Sequence, residues 1–361
     1  MMHKNRANNS SLNPQNKVTA SIIGARGYSG LELTRLLLNH SSVELTHCYA
    51  TKDFSLTDDI LDSGAQSIIC LSEDKLMNHL TDVVFLATPA EVSLKLAPQI
   101  MAAGKKVIDL SGAFRLKKND YNKWYNFNHT ESEILANADY GLMPFAGPVA
   151  EKNQIISNPG CYATAINMAL IPLLKRNLLE TENIVIDAKS GTTGAGRKAS
   201  ENLLFSEVGE NCLPYKVGQH QHLPEIQEAI EAFAGVQIEP HFSTHLLPVK
   251  RGLIAGIYAT AKATDLDVIK NAFAEEYANY DLVRFGRELP KLASLTKVVG
   301  TPYTHISFQL VGKKLYVFSA IDNLLKGAAS QAVENLNRFL DLPLHHSLTT
   351  SPTSFQTSSE K

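Results

Sequence analysis

The chain has 361 residues, of which 44% are hydrophobic and 19% are charged, as in ordinary soluble globular proteins. Its 34 basic and 36 acidic residues give a formal net charge of −2, so charge provides no basis for binding nucleic acid or an anionic membrane. No apolar run is long enough to span a membrane. The four widely spaced cysteines favour a reducing compartment over a disulfide framework or a zinc site. We therefore expect a cytoplasmic protein of two domains without a metal.

Residues 18–24 form an apolar run with the character of a buried strand, and a glycine-rich turn and a leucine-rich helix follow it. This order is the context that a dinucleotide-binding turn requires. Gly24 would make the tight turn, Gly27 would let the backbone approach the pyrophosphate, and Gly30 would let the helix pack closely on the sheet. The spacing is GxxGxxG instead of GxGxxG, so a plain strand–helix turn remains an alternative.

The second predicted strand, residues 43–50, is followed by Thr51 and Lys52. An acid that would hold a ribose 2′-hydroxyl is expected about 20 residues beyond the glycine turn, and these two positions carry none. A hydroxyl and an ammonium suit a 2′-phosphate better, so the sequence favours NADP over NAD. Asp53 is close enough to keep this preference modest.

Strands and helices continue to alternate through residues 82–110. Strands are predicted over 82–87 and 106–110, and a helix is predicted over 90–103 between them. This alternation predicts a Rossmann-like α/β domain, in which helices cover both faces of a parallel sheet. Ligands bind at the carboxyl ends of the strands in such sheets, so the residues after these strands are candidates for the crevice: Thr88, Pro89, Ser111 and Gly112.

Cys161 directly follows a Pro-Gly turn and opens an apolar run over 163–174 with helical spacing. A thiol at a helix N-terminus faces unpaired N–H groups and the positive end of the helix dipole, both of which favour the thiolate. The thiolate is the form that attacks acyl carbons. This stretch therefore predicts a catalytic nucleophile, with a small buried hydrophobic residue as the alternative.

Two polar segments of the second half are candidates for binding an anion or moving a proton. A predicted strand over 183–190 continues into a loop, 190–198, whose glycines, hydroxyls and two cations favour phosphate or carboxylate binding. His220 and His222 share one side of an extended segment before a helix predicted over 224–233, and a histidine there can act as a general acid or base. No third ligand is close enough in sequence for a metal site.

The rest of the second half contains strands in runs with few helices, which predicts a largely antiparallel sheet in an α+β domain. His245 and two cations lie in segment 243–252, between two predicted strands. Small residues in the final helix, 322–340, would let it pack closely back onto the nucleotide domain. The other predicted elements are strands over 252–263, 305–311 and 315–320 and a helix over 266–277.

Six segments, in order, resemble the signature segments of the N-acetyl-γ-glutamyl-phosphate reductases: GARGYSGLEL, SNPGCYATA, SGTTGAGR, GQHQHLPEI, THLLPVKRG and DNLLKGAASQAVENLN. The resemblance implies a semialdehyde dehydrogenase-like architecture and a homodimer or homotetramer. It implies an NADP-binding domain over 17–160 completed by the C-terminal helix 322–345, and a substrate and dimerisation domain over 161–321. A disordered arm, 1–16, and a disordered tail, 346–361, are expected at the ends.

The activity that the resemblance implies is NADPH-dependent reduction of N-acetyl-glutamyl phosphate to its semialdehyde through a cysteine thioester. Cys161 would be the nucleophile and His220 the acid/base. The predicted substrate contacts are Asn158, Arg197, His222, Glu225, His245 and Arg251. The predicted contacts to NADP(H), including those derived above, are Gly24, Arg26, Gly27, Tyr28, Ser29, Gly30, Thr51, Lys52, Thr88, Pro89, Ser111, Gly191, Gly194, Asn323 and Gly327.

Two segments depart from the family pattern and receive no predicted catalytic role. The common LSADFRL is LSGAFRL at 110–116, and the common YGLPE is YGLMP at 140–144. Two alternatives remain open at the level of the sequence. One is an enzyme like aspartate-semialdehyde dehydrogenase, and the other is a catalytically silent nucleotide-binding protein with the same fold.

Overall fold

The computed structural model of the chain describes residues 17–286 and 293–349. The predicted N-terminal arm, 1–16, lies outside the described residues, and so does most of the predicted tail. That tail was predicted to begin too early, because residues 346–349 form a turn against the first domain. In this turn the hydroxyl of Ser347 accepts a 3.2 Å hydrogen bond from the backbone N–H of Ser41.

The first domain is built on a seven-stranded sheet whose pairings are all parallel. Its strands are β1 (Val18–Ile23), β2 (Val43–Ala50), β3 (Ile69–Ser72), β4 (Val83–Leu86), β5 (Lys106–Asp109), β6 (Asp139–Tyr140) and β7 (Ile155–Ser157). Their order across the sheet is β3-β2-β1-β4-β5-β7-β6. From β1 the chain adds β2 and β3 toward one edge of the sheet and then β4 and β5 toward the other, and this switch opens a crevice at the carboxyl ends of β1 and β4.

Helices pack on both faces of this sheet, as the apolar strands require. They are α1 (Tyr28–Leu38), α2 (Ala90–Ala102), α3 (Tyr121–Tyr125) and α4 (Ser132–Asn137). Successive residues of β1 point to opposite faces, so Ile22 joins an apolar core with α1 whereas Ile23 joins a separate core with α2. The predicted Rossmann-like parallel sheet is confirmed.

The second domain contains a mixed seven-stranded sheet. Its strands are β8 (Val185–Ser190), β9 (Leu213–Tyr215), β10 (His241–Leu246), β11 (Leu253–Thr260), β12 (Val283–Gly286), β13 (Thr304–Val311) and β14 (Lys314–Ile321). They lie in the order β12-β13-β14-β11-β8-β10-β9. The β8–β10 and β12–β13 pairings are parallel and the others are antiparallel, which confirms the predicted sheet class.

One face of the mixed sheet is covered by the long apolar helix that begins at Cys161. This helix, α5 (Cys161–Lys175), is buried along nearly its whole length because α7 and α8 pack beside it. The helices of this domain are α5, α6 (Phe205–Val208), α7 (His222–Ala234), α8 (Leu266–Glu276) and α9 (Leu295–Val298). Among the described residues, no helix is both long enough and apolar enough to cross a membrane.

The chain returns to the first domain through a π-helical turn, Leu325–Ala329, followed by α10 (Ser330–Phe339). The predicted continuous α-helix is therefore wrong in its first part. Ala329 and Val333 lie in the same apolar core as Ile22 of β1. Beside them, the buried ammonium of Lys326 donates a 2.7 Å hydrogen bond to the buried carboxylate of Glu334. The packing of α10 joins the C-terminal segment to the nucleotide domain.

Candidate active site

A cleft of about 440 Å³ lies between the two domains, where the glycine turn before α1 faces the N-terminus of α5. The first domain contributes the turn and the residues that follow β4. The second contributes Cys161, the loop after β8 and the start of the π-helical turn. The predicted cofactor residues that line the cleft are Gly27, Tyr28, Ser29, Gly30, Thr88, Pro89, Gly194, Asn323 and Gly327.

Cys161 is the first residue of α5, with Gly160 as the N-cap, and its side chain is partly exposed to the cleft. Gly327 packs directly against it. A Cβ atom added to Gly327 would lie 2.6 Å from the Cβ of Cys161, which no side chain could tolerate without displacing the cysteine. The glycine thus permits the π-helical turn to approach the thiol-bearing residue.

Burial raises the pKa of the Cys161 thiol to about 11, while the Arg115 guanidinium and the backbone N–H of Tyr162 act in the opposite direction. The expectation that the helix N-terminus alone would favour the thiolate is therefore wrong for the protein without ligands. Desolvation outweighs the nearby positive charge and the N–H group. The thiol form dominates near neutral pH, and a proton acceptor or a bound ligand is needed to generate the nucleophile.

Glu225 is the centre of a buried hydrogen-bond network beneath the cysteine. Its Oε1 accepts hydrogen bonds from the Gly160 backbone N–H at 2.7 Å and from the Tyr140 hydroxyl at 2.8 Å. Its Oε2 lies 3.6 Å from a guanidinium nitrogen of Arg115 and 4.0 Å from Nε2 of His222. Glu225 is 1% exposed; its Oε1 is hydrogen-bonded, whereas its Oε2 has no hydrogen-bond partner and is balanced by the nearby charge of Arg115.

Arg115 and Tyr140 belong to the two segments to which sequence reasoning gave no role. Arg115 lines the cleft, and it also donates hydrogen bonds to the carbonyl oxygens of Asn158 at 2.9 Å and Leu110 at 2.7 Å. A signal for Arg115 was present in the sequence, since it follows β5 by a few residues and so lies at the carboxyl edge of the parallel sheet. Nothing local marked Tyr140, which reaches Glu225 from 85 residues away.

The two histidines lie at the start of α7 instead of on an extended segment, because the helix begins at His222, two residues before its prediction. Nδ1 of His220 accepts a 3.1 Å hydrogen bond from the backbone N–H of His222, so neutral His220 carries its proton on Nε2. Burial, followed by the charges of His222 and Lys216, lowers the pKa of His220 to about 2.

The two rings face different spaces. His222 lines the cleft that contains Cys161, and a Cβ added to Gly160 would lie 2.4 Å from its Nε2. His220 lines a neighbouring pocket. The ring centroids are 4.7 Å apart. The histidine that lines the same cleft as Cys161 is therefore His222, whereas the prediction gave the acid/base role to His220.

Four predicted substrate contacts do not line the cleft, and one of them is Glu225, which is buried beneath the cysteine. The other three have partners within the protein. The Asn158 side chain is fully buried and bonds the carbonyl of Ala328 at 3.2 Å, so it anchors the C-terminal segment. His245 lies within β10 instead of in a loop, with Nδ1 3.3 Å from an Asp187 carboxylate oxygen. Arg251 pairs with acids of α1 and of the C-terminal segment. None of the three lines the cleft.

Arg197 does line the cleft, but at the nucleotide side. Its guanidinium donates a hydrogen bond to the carbonyl of Arg26 and lies 5.7 Å from the Tyr28 ring centroid. Arg197 therefore lies beside the glycine turn that is predicted to bind the cofactor, while its predicted substrate contact stays a prediction. The loop over 190–198 therefore reaches across the cleft to the glycine turn.

The remaining predicted cofactor residues do not line the cleft. The Ser111 hydroxyl is used by Asp109, to which it donates a 2.8 Å hydrogen bond. Gly191 packs under the Arg251 backbone, where a Cβ would lie 2.7 Å from the nitrogen. Thr51 and Lys52 are exposed in the bend after β2, next to the segment over which Arg26 lies.

The glycine turn fits a dinucleotide. Gly24 has a φ of 81°, and a Cβ there would lie 2.3 Å from the carbonyl oxygen of Ala87, so only glycine suits this position. No side chain caps α1, whose N-cap is Gly27, and its first N–H groups are open to a pyrophosphate. Asp53, two residues after Thr51, accepts a 2.7 Å hydrogen bond from the Ser72 N–H at Oδ1, and its Oδ2 lies 3.2 Å from the Lys75 ammonium, so both oxygens have partners within the protein.

Residues 17–286 and 293–349 contain no group of three His, Cys, Asp or Glu side chains that could hold a metal ion. The fold and this cleft place the chain among the semialdehyde dehydrogenases. The family model described as "Semialdehyde dehydrogenase, NAD binding domain" matches residues 19–153, and "Semialdehyde dehydrogenase, dimerisation domain" matches residues 161–323. The chain belongs to the N-acetyl-gamma-glutamyl-phosphate reductase family, which confirms the predicted resemblance.

Several relatives carry that name. The protein of Streptococcus thermophilus is 42% identical over 334 residues, which cover 88% of this chain and 94% of the relative. The protein of Clostridium botulinum is 39% identical over 333 residues, with 90% and 95% coverage. Among solved structures, aspartate semialdehyde dehydrogenase II of Vibrio cholerae has a TM-score of 0.70 at 16% identity, covering 90% of this chain and 99% of that one. This last similarity shows the shared fold alone.

Proposed function

We propose that this protein reduces N-acetyl-glutamyl 5-phosphate to N-acetyl-glutamate 5-semialdehyde with NADPH, through a thioester on Cys161. The observation that carries the proposal is the position of Cys161, at a helix N-terminus, in the same cleft as the dinucleotide-binding glycine turn. Membership of the family supports the choice of substrate. The fold neighbours favour no substrate, because their identity to this chain is only 16%.

The chemistry of the side chains suits acyl transfer. The Cys161 thiolate attacks the acyl carbon, a C–S bond forms, the C–O bond to phosphate breaks, and a thioester remains. Bound NADPH supplies the hydride that reduces this thioester. The resulting thiohemiacetal releases the aldehyde when the C–S bond breaks and the electron pair returns to sulfur. The N–H groups of the first turn of α5 lie where they can stabilise the oxygen that becomes negative.

His222 is the histidine placed to exchange a proton at the cleft, since it lies between Glu225 and the Gly160 backbone. Burial, followed by the charge of Arg115, lowers its pKa well below the ordinary value, so His222 is neutral in the protein without ligands. To accept the proton of the Cys161 thiol, the ring needs its positive charge stabilised, which Glu225 and the anionic substrate are placed to do. Arg115 lies beside the same peptide and is placed to hold the departing phosphate. His220, to which the sequence gave the acid/base role, lines the neighbouring pocket and not this cleft.

The second domain is also proposed to form a dimer. Val185, Tyr258 and Tyr316 lie side by side on the face of the mixed sheet that points away from α5. Val185 is 38% exposed, and the two tyrosine rings are in edge-to-face contact at 5.9 Å. An apolar strip on an open sheet face suits a second copy of the chain, and the matched family description names dimerisation. Light scattering of the purified protein tests the dimer, and a monomer would refute it.

We also propose that the enzyme acts in the cytoplasm.

The reverse reaction tests the activity. Purified protein is given N-acetyl-glutamate semialdehyde, phosphate and NADP⁺, and NADPH formation is followed; aspartate semialdehyde replaces the substrate in a parallel reaction. We expect phosphate-dependent turnover with the acetylated aldehyde, and a loss of about 10³-fold or more in Cys161→Ser with cofactor binding retained. Turnover with aspartate semialdehyde instead would favour the rival enzyme, and turnover with neither would favour a silent binding protein.

A further inference from the structure

A second pocket of about 480 Å³ opens beside the cleft, and we call it the side pocket. It shares Gly194 and Ala195 with the cleft, so the two spaces are separated only by this short piece of loop. His220 lines its wall. Its volume is in the range of sites for small molecules. Apart from Gly194 and His220, none of its lining residues belongs to the predicted site.

The walls of the side pocket are chemically divided. Leu203, Leu213 and Leu246 contribute apolar surface. Lys216 and Gln221 contribute polar groups, and the Lys216 ammonium donates a 2.8 Å hydrogen bond to the Gln221 side-chain oxygen. Such a division fits a ligand with one apolar and one charged group.

Lys216 is a cation without an acidic partner in this pocket, because the described residues that line it include no Asp or Glu. Its backbone has a φ of 45°, in the left-handed region that disfavours a side chain other than that of Gly, Asn or Asp. Residues held in this disfavoured backbone region occur often at functional sites, so the conformation of Lys216 supports a role for its side chain in binding a ligand. An anionic ligand would supply the missing charge.

We propose that the side pocket binds the amino-acid end of the substrate. Lys216 would pair with the α-carboxylate, and the three leucine side chains would contact the acetyl group. This inference rests on the proposed function. The phosphate end of the substrate must lie at Cys161, next to Arg115, because it leaves from the carbon that the thiol attacks. Lys216 lines the side pocket, whereas Cys161 and Arg115 line the cleft, so the anion that Lys216 meets is the other end of the same molecule.

The reverse reaction with two aldehydes tests the inference. N-acetyl-glutamate semialdehyde is compared with 4-acetamidobutanal, which has the same chain without the α-carboxylate. We expect wild-type kcat/KM to favour the carboxylated aldehyde by about 10- to 100-fold, and Lys216→Met to remove most of that preference by raising KM. Lys216→Arg, which keeps the charge, should restore part of it. Lys270→Met, which removes an exposed lysine of α8, is the matched control.

Each other outcome overturns a specific statement. If Lys216→Met is folded by circular dichroism and keeps the wild-type preference, Lys216 does not bind the α-carboxylate. If its KM for phosphate rises instead, the lysine belongs to the phosphate site. If the wild-type protein oxidises neither aldehyde, the proposed function is wrong, and so is the ligand that we assign to the side pocket.

Discussion

Gly160 and Glu225 are joined by a 2.7 Å hydrogen bond from the glycine N–H to the carboxylate, which ties the start of α5 to the first turn of α7. Cys161 follows Gly160 directly, and His222 lies one helical turn before Glu225. The hydrogen bond therefore helps to fix the position of the cysteine relative to the histidine. The same carboxylate faces Arg115, so the nucleophile, the histidine and the cation share one buried anchor.

Glu225→Gln should therefore reduce both stability and turnover. The amide can still accept the Gly160 N–H, but Arg115 loses its buried counter-charge. Breaking a buried ion pair costs about 3–5 kcal/mol of the free energy of unfolding, and a misplaced cysteine and histidine should lower kcat by at least about tenfold. Urea unfolding and the reverse assay measure the two effects. Glu231→Gln, on the exposed side of the same helix, should leave the free energy of unfolding nearly unchanged, and equal losses in both variants would contradict the anchor.

The raised pKa of Cys161 predicts slow alkylation of the ligand-free protein near neutral pH. Since only the thiolate reacts, and its pKa is about 11, the rate constant with iodoacetamide should rise about tenfold per pH unit between pH 7 and 10. Peptide mass spectrometry reports the reaction at Cys161 separately from the exposed Cys212. At pH 7 we expect a slower reaction than that of free N-acetylcysteine. A faster one would mean that the buried environment favours the thiolate after all.

The sequence predicted those elements whose apolar pattern is continuous. The strand over 43–50 has the bounds that were predicted for it, and α5 begins at Cys161 as predicted. The pattern failed where tertiary structure decides. His245 belongs to β10, whose polar residues alternate toward the open face of the sheet and give the strand the composition of a loop.

The site was predictable only where its chemistry lies in one segment. Glycine turns and a cysteine after Pro-Gly are local features, and the structure brings them to one cleft. The Glu225 network joins residues from four separate segments, so no local spacing encodes it. Burial is equally invisible in a sequence, which is why the dipole argument overestimated the acidity of Cys161.

Burial of neutral His220 predicts that stability falls with acid. The pKa of His220 in the folded protein is about 2, whereas the ordinary value is near 6.5. Below about pH 6.5 the unfolded chain therefore takes up a proton that the folded chain does not. The free energy of unfolding should then decrease by up to about 1.4 kcal/mol per pH unit from this residue. His220→Asn should reduce the slope of stability between pH 6.5 and 5.5 in urea titrations. His241→Asn, at an exposed position of β10, controls for loss of a histidine, and identical slopes in the two variants would refute the argument.

Arg251 should act on stability and leave phosphate binding unchanged, contrary to the role implied by the resemblance. It bonds Glu32 of α1 at 3.0 Å and Asp322 at 2.6 Å, and so links the two domains. Arg251→Met should lower the free energy of unfolding by about 1–3 kcal/mol. In a double-mutant cycle with Glu32→Gln the losses should be less than additive. A KM for phosphate that rises about tenfold in Arg251→Met would instead return this residue to the substrate site.

Lys52 and Thr51 should carry the preference for NADPH over NADH, because they are exposed at the carboxyl end of β2 and the neighbouring acid is engaged elsewhere. Replacing both with apolar residues should narrow the ratio of kcat/KM values for the two cofactors by about tenfold or more. Asp53 offers a second test, since the Lys75 ammonium lies 3.2 Å from its carboxylate. Asp53 keeps the hydrogen bond from the Ser72 N–H at Oδ1, but Lys75→Met frees its Oδ2 for a ribose hydroxyl and should improve the use of NADH. An unchanged ratio in the Thr51 and Lys52 variant would place the 2′-phosphate on another residue, with Arg26 as the next candidate.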